Sequence, residues 1–166
     1  MTDKELLTKK FILVGMDDTK ISTKEKPIIG TQALATCIGV LLYDEENKVA
    51  IVAHISSEPI PIIDKIFNLI IKNKLYNNKL KYKIIAGYYE GRPDIKKILE
   101  AHFKDFIPLE ETLITSNAVI TDDKIPSRQF AFDASSGKFV SDKVLFGTEY
   151  YIINPDSYND SYNKHR

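Results

Sequence analysis

The segment Ile38–Ile55 reads IGVLLYDEENKVAIVAHI and decides the fold. Two runs rich in β-branched and apolar residues flank a short polar stretch, Asp44–Asn47. This pattern is typical of a β-hairpin, in which two antiparallel strands are joined by a turn. Because apolar residues occupy both faces of the two strands, we expect other layers of the protein to cover the hairpin on both sides. One face would carry Gly39, Leu41, Ala50 and Val52, and the other Ile38, Val40, Leu42, Val49 and Ile51.

The only cysteine of the chain, Cys37, directly precedes the first strand, and His54 lies near the end of the second. If the turn centres on Glu45-Glu46, the two residues lie directly opposite one another, with Cβ atoms about 4.5–5.5 Å apart. At that separation an imidazole can take a proton from a thiol, so the register predicts a thiolate–imidazolium pair. The alternative is a buried structural thiol, since free cysteine packs as a small hydrophobe. A one-residue slip of the register would put the two side chains on opposite faces.

A wider pattern surrounds the pair. Thr31 lies six residues before Cys37, the first strand ends in Leu42-Tyr43-Asp44, and Ala53-His54-Ile55 follows the turn. Over about Gly15–Pro59 this pattern resembles the CheD family of bacterial chemoreceptor glutamine deamidases. The resemblance implies that Thr31, Cys37 and His54 are the catalytic residues of a cysteine-dependent protein glutamine deamidase. Such an enzyme converts a glutamine side chain of a protein to glutamate through a thioester and releases ammonia.

The loops around the hairpin depart from the family pattern. Ala50-Ile51 stands where the family has a Gly-Gly step, and Ala86-Gly87-Tyr88-Tyr89 where it has a Gly-Gly-Ala turn. Ser116–Ser127 contains none of the glycines that precede the family's arginine, whereas Phe132–Lys138 is similar to its final hairpin. The substrate therefore stays open: a chemoreceptor, or a host protein modified by a secreted effector. A third alternative is a non-catalytic module that keeps the fold and binds a regulatory protein partner.

Other polar side chains near the pair have candidate roles. Thr31 is expected to orient His54 and to select its tautomer, and the alternative is a threonine that caps its own loop backbone. Thr36, Gln32 and Tyr88 are candidate substrate contacts; the alternative is an ordinary loop position for Thr36 and Gln32, and a cap on the sheet for Tyr88. The amides of Cys37 and its neighbours are the expected donors to the oxyanion.

Composition limits the other classes of function. Lys plus Arg number 23 and Asp plus Glu number 23, so the basic excess typical of nucleic-acid binding is absent. The three histidines do not have metal-ligand spacing, and we expect neither a metal nor a cofactor. No apolar run approaches the roughly 20 residues that span a membrane, so no membrane insertion is expected. One cysteine and a charged start predict a cytoplasmic protein, with secretion into a host cell as the alternative.

The whole chain is expected to form an α+β fold, a layered α/β sandwich around a mixed, mainly antiparallel sheet that contains the catalytic β-hairpin. A single deamidase domain would span residues 1–153 and a polar, frayed tail 154–166. Helices are predicted over Ile62–Leu75 and from Pro93 to about Phe103, and Asp17–Gly30 is expected to be turn-rich. The remaining predicted strands are Phe11–Gly15, Pro27–Ile29, Tyr82–Gly87, Glu111–Ile114, Ala118–Thr121, Gln129–Asp133 and Lys138–Val144.

Overall fold

A computed structural model describes residues 5, 9–113, 119–120 and 126–141. Two helices and ten strands are defined in that part of the chain. In chain order they are β1 Phe11–Val14, β2 Thr19–Ile21, β3 Ile28–Leu34, β4 Ile38–Asp44, β5 Val49–Ile55, α1 Pro59–Lys72, β6 Lys81–Ala86, α2 Pro93–His102, β7 Ile107–Pro108, β8 Val119–Ile120, β9 Pro126–Asp133 and β10 Lys138–Val140. A short 3₁₀ turn, Asn77–Lys79, follows α1.

The described strands form two five-stranded sheets instead of the single sheet expected. One has the order β1-β3-β9-β10, with β8 also paired to β9, and the other has the order β2-β5-β4-β6-β7. Most neighbours are antiparallel; β1 with β3 and β6 with β7 are the parallel pairs. The α+β class and the mixed, mainly antiparallel pairing are therefore confirmed.

The β4–β5 hairpin is covered on both sides, as its apolar faces predict. Leu41 and Val52 share a buried cluster with Phe130 and Phe132 of the other sheet. Val40 and Ile51, on the opposite face, share a second cluster with both helices. The layers are therefore sheet, sheet and helices, and each side chain of the hairpin is assigned to the predicted face.

The register of the hairpin differs by two residues from the predicted one. Asp44 pairs with Val49, so Gly39, and not Cys37, lies directly opposite His54. The prediction that Cys37 is the residue facing His54 was therefore wrong. A shift of two residues keeps the alternation of side chains, so Cys37 and His54 still belong to one face.

The turn of the hairpin explains this shift. Asp44 stays in the strand while its carboxylate accepts hydrogen bonds from the backbone N–H and side-chain amide of Asn47, at 3.0 and 2.8 Å. Lys48 then closes the turn in the left-handed region, with φ of 53°. The sequence contains no Asn-Gly or Asp-Gly pair to fix the type of turn, so the pattern of residues does not set the register.

Most remaining elements lie where the periodicity predicts them, with differences at their ends. The first helix begins earlier than predicted, at Pro59, and the second spans Pro93–His102. The short strand predicted at Pro27–Ile29 continues to Leu34, and Thr19–Ile21 forms a strand inside the segment expected to be turns. Residues 111–113 are not a strand, and β7 lies earlier, at Ile107–Pro108. Residues 142–144 and the tail 154–166 lie outside the described residues.

No helix in the described part of the chain has the length and apolar character needed to span a membrane.

Candidate active site

Thr31 lies at the centre of the candidate site and is joined to residues of β1, β5 and β9. It lies in β3, fully buried, between Val14 of β1 and Phe130 of β9. Its hydroxyl donates to the carbonyl oxygen of Val14 at 2.7 Å and lies 2.8 Å from Nδ1 of His54. A hydroxyl has one hydrogen, so the bond to Val14 requires Nδ1 of His54 to be the donor to Thr31. This network assigns the proton of the neutral imidazole to Nδ1.

His54 is thereby left with an unprotonated Nε2. The residue is 2% exposed, and within the described residues Nε2 has no hydrogen-bond partner. Leaving a buried polar atom unpaired costs about 1–3 kcal/mol, so such an atom in a native protein calls for an explanation. An imidazole nitrogen that has a free lone pair and a fixed tautomer is suited to accept a proton.

Cys37 lies on the same face as His54, one position before β4. Its side chain is 6% exposed and belongs to the cluster between the two sheets. Continuing the β4–β5 register makes Cys37 a diagonal neighbour of His54, beside Gly39, which faces the histidine directly. A Cβ at Gly39 would meet Cε1 of Phe130 at 2.9 Å, so only glycine fits there without displacing that ring.

The electrostatic environment favours the neutral forms of Cys37 and His54. Burial raises the pKa of the Cys37 thiol, and the charge of Asp17 raises it further while Arg92 lowers it. Burial lowers the pKa of His54, and Asp17 partly opposes that effect. The positions of the two residues in the sequence predict an ion pair, but the burial of both residues disfavours both charges.

The loop that carries Cys37 is fixed by close backbone contacts. β3 ends in a bulge at which Ala33 has φ of 61°, and Cys37 follows three residues after Leu34. The amides of Tyr88 and Tyr89 donate to the carbonyls of Leu34 and Ala35, at 2.9 and 3.0 Å. The segment after β6 therefore holds the loop in place from one side.

The three candidate substrate contacts have different positions. Thr36 is exposed and borders a pocket of about 200 Å³, which is lined on the other side by Arg92 and Lys96. Gln32 lies in β3 instead of a loop, within the bulge that interrupts the pairing between Thr31 and Leu34, and it is partly exposed. Tyr88 packs edge-on against Tyr89, with ring centroids 4.8 Å apart. Of the three, Thr36 is the immediate chain neighbour of Cys37.

Sequence reasoning missed Asp17 and Ser56, which adjoin the end of β5. The Asp17 carboxylate accepts hydrogen bonds from the Ser56 amide at 2.9 Å and from its hydroxyl at 2.6 Å. The amide of Asp17 donates to the carbonyl of His54 at 2.7 Å. The sequence predicts only a turn-rich segment from Asp17 to Gly30, because nothing local indicates a contact with a residue 39 positions away.

Among the residues that the structure describes, no group of three or more His, Cys, Asp or Glu side chains is placed to hold a metal ion. Comparison of the chain with protein-family models finds no match, and comparison with curated proteins finds none either.

Proposed function

We propose that this protein is a cysteine-dependent protein glutamine deamidase similar to the CheD family, with Cys37 as nucleophile, His54 as base and Thr31 as the residue that orients the base. The observation that carries the proposal is the hydrogen bond between Thr31 Oγ1 and His54 Nδ1, at 2.8 Å. Together with the bond from Thr31 to Val14, it leaves Nε2 free on the face that carries the only thiol. Nucleophile, base and orienting group are the three parts that this chemistry requires.

The first half of the reaction follows from the neutral resting pair. Sγ of Cys37 attacks the carboxamide carbon of the substrate glutamine while Nε2 of His54 takes the thiol proton, so a C–S bond forms and the carbonyl oxygen becomes an oxyanion. Backbone amides at Cys37 and its neighbours are the proposed donors to that oxyanion. The imidazolium then returns the proton to the departing nitrogen, the C–N bond breaks, and ammonia leaves a thioester.

Hydrolysis of the thioester reuses the same base. Nε2 takes a proton from a water molecule as its oxygen attacks the thioester carbon, and a second oxyanion forms. The C–S bond then breaks, the sulfur regains the proton from His54, and the glutamate product is released. In the first half-reaction the thiol is proposed to lose its proton to His54 as it attacks, because burial disfavours a standing thiolate at Cys37.

The proposal includes two alternatives for the protein substrate and for the compartment in which the enzyme acts. A chemoreceptor in the bacterial cytoplasm is one substrate, and a host protein reached by a secreted effector is the other. The small exposed fraction of Cys37, 6%, favours a second candidate function, a non-catalytic CheD-like module that regulates a protein partner. The proposal includes neither nucleic acid nor a cofactor for the chemoreceptor deamidase, the effector deamidase or the binding module.

The test uses the purified protein and two protein substrates. The wild type, Cys37→Ser and His54→Gln are incubated with the cytoplasmic fragment of a chemoreceptor and with a eukaryotic cell extract, and peptide mass spectrometry maps glutamine-to-glutamate conversion. Conversion that requires Cys37 and His54 supports the deamidase, and its location separates receptor from host protein. His102→Gln is the matched control, since that imidazole lies on α2, hydrogen-bonded to the Ile98 carbonyl. No conversion in either mixture would favour the binding module.

A further inference from the structure

Asp17 is held at the end of β5 by three short hydrogen bonds. Two of them join its carboxylate to the amide and hydroxyl of Ser56, and the third joins its own amide to the carbonyl of His54, at 2.9, 2.6 and 2.7 Å. Asp17 has φ of 56°, in the left-handed region that aspartate and asparagine enter more readily than most residues. The turn before β2 thus presents this carboxylate to the strand end that carries His54.

Ser56 follows β5, two residues beyond His54. The last pair of the β4–β5 ladder is Ile38 with Ile55, and Cys37 and Ser56 are the residues that adjoin this pair along the chain. The Asp17 carboxylate, bound to Ser56, is close enough for its charge to act on both the candidate nucleophile and the candidate base.

We propose that Asp17 is a positioning residue of this site, whose carboxylate, held by Ser56, stabilises the imidazolium that His54 becomes when it takes the thiol proton. The inference deepens the proposed function, on which its catalytic meaning rests. A fixed negative charge next to a base that becomes positive lowers the energy of that step without moving any atom. The same charge opposes a thiolate at Cys37, so it favours the sequence of events in which the sulfur loses its proton only during attack.

The other charged groups around the site, Lys65 and Arg92, lie next to main-chain carbonyl oxygens of Asp17 and Ser56. The Lys65 ammonium of α1 lies 3.4 Å from the carbonyl oxygen of Asp17, and an Arg92 guanidinium nitrogen lies 3.4 Å from the carbonyl of Ser56. Arg92 is itself paired with Asp94 at 3.1 Å. The Asp17 charge raises the pKa of both His54 and Cys37, whereas burial lowers the first and raises the second. Charge and burial can therefore be distinguished by experiment.

The test is Asp17→Asn, which keeps the shape, tolerates the positive φ and can still hydrogen-bond to Ser56. NMR titration gives the pKa of His54, with its signal assigned by comparison with His54→Gln, and the pH dependence of alkylation gives that of Cys37. Removing the charge is expected to lower both pKa values. A variant that merely opened the site would lower the value for Cys37 and raise that for His54, because both effects of burial would weaken.

Asp18→Asn is the matched control, because the neighbouring carboxylate accepts a bond from the Thr19 amide at 2.7 Å and should leave both titrations unchanged. If Asp17→Asn does not fold, Asp17→Gly removes the charge at a position where glycine is unstrained. Unchanged pKa values in the folded variant, or shifts of opposite sign, would overturn the proposal.

These titrations need no substrate, so their outcome is independent of the deamidase assay. With a deamidated substrate in hand, the acid limb of the rate profile should also move to lower pH in Asp17→Asn. Concordant pKa shifts without any deamidation would support the charge coupling and count against the proposed reaction. Deamidation with an unmoved acid limb would retain the reaction and reject the role of Asp17.

Discussion

Single residues decide where the proton of the candidate base resides. The Thr31 hydroxyl can donate once, and the Val14 carbonyl, which can only accept, takes that donation at 2.7 Å. His54 must then donate through Nδ1, which leaves Nε2 for the thiol. The identity of the side chain at position 31 thus controls the chemistry of a side chain 23 residues away.

Thr31→Val tests this control, since it keeps the branched shape and removes the hydroxyl. The Val14 carbonyl and His54 Nδ1 both lose their partner in a buried site, which is expected to cost about 1–3 kcal/mol of unfolding free energy. Deamidation should fall by about 10²-fold or more, because the imidazole is no longer held in one tautomer. Urea unfolding and the deamidation rate measure the two effects. Thr31→Ser, which keeps the hydroxyl, should retain most of the activity; equal rates in both variants would argue against the orienting role.

The resting state of Cys37 can be measured without any substrate. Because burial raises the pKa of its thiol, the pH profile of alkylation in the folded protein should have its midpoint above that of the same chain in denaturant. The midpoint, unlike the absolute rate, is insensitive to restricted access. A folded-state midpoint below the denatured one would mean that a thiolate–imidazolium pair exists at rest, as the sequence alone predicts.

At the scale of elements, sequence and structure agree where periodicity is strong. The faces of the β4–β5 hairpin follow from alternation alone, α1 follows from apolar spacing, and α2 follows from apolar spacing and the proline at its start. The register could not be predicted, because it depends on the Asp44–Asn47 hydrogen bonds and on the left-handed Lys48. Cys37 and His54 could be proposed from their positions in the hairpin and Thr31 from the resemblance to the CheD family, but Asp17 and Ser56 could not, because a tertiary contact joins them.

The loop that carries Cys37 depends on a glycine in a neighbouring element. A Cβ at Gly87 would lie 2.5 Å from the Ala35 carbonyl oxygen and 2.6 Å from that of Cys37, and neither is a flexible side-chain end. Gly87→Ala should therefore displace the loop, cost about 1–3 kcal/mol of unfolding free energy, and raise the rate at which Cys37 is alkylated at fixed pH. Thermal unfolding and alkylation measure both.

Gly91→Ala is the control in the same segment, since its added methyl would meet only Cγ2 of Thr36, at 3.9 Å. That variant should resemble the wild type in both measurements. An unchanged melting temperature in Gly87→Ala would show that the loop can shift without loss of stability.

For the whole molecule, the buried groups Cys37 and His54 are expected to set the limits of a pH range of greatest stability. The folded pKa of His54 lies below its ordinary value of 6.5, so below about that pH the unfolded chain binds a proton that the folded chain does not, and stability falls. The folded pKa of Cys37 lies above its ordinary 9.0, so above that pH the unfolded chain loses a proton that the folded chain keeps, and stability falls again.

Unfolding free energies measured in urea between pH 5 and pH 10 should therefore form a plateau between about 6.5 and 9. His54→Gln is expected to remove most of the decline on the acid side, and Cys37→Ala most of the decline on the alkaline side. A decline of wild-type size in both variants would show that other groups control the pH dependence.

The acceptor that fixes the tautomer of His54 is a main-chain atom, the carbonyl oxygen of Val14. Substituting residue 14 changes the side chain and leaves that oxygen where β1 puts it. An alanine scan of the site would therefore identify Val14 only as a packing residue. It would not show that the main-chain carbonyl of Val14 determines which ring nitrogen of His54 carries the proton. Replacing the peptide linkage after Val14 by an ester, which weakens the carbonyl as an acceptor, is the change that would expose it.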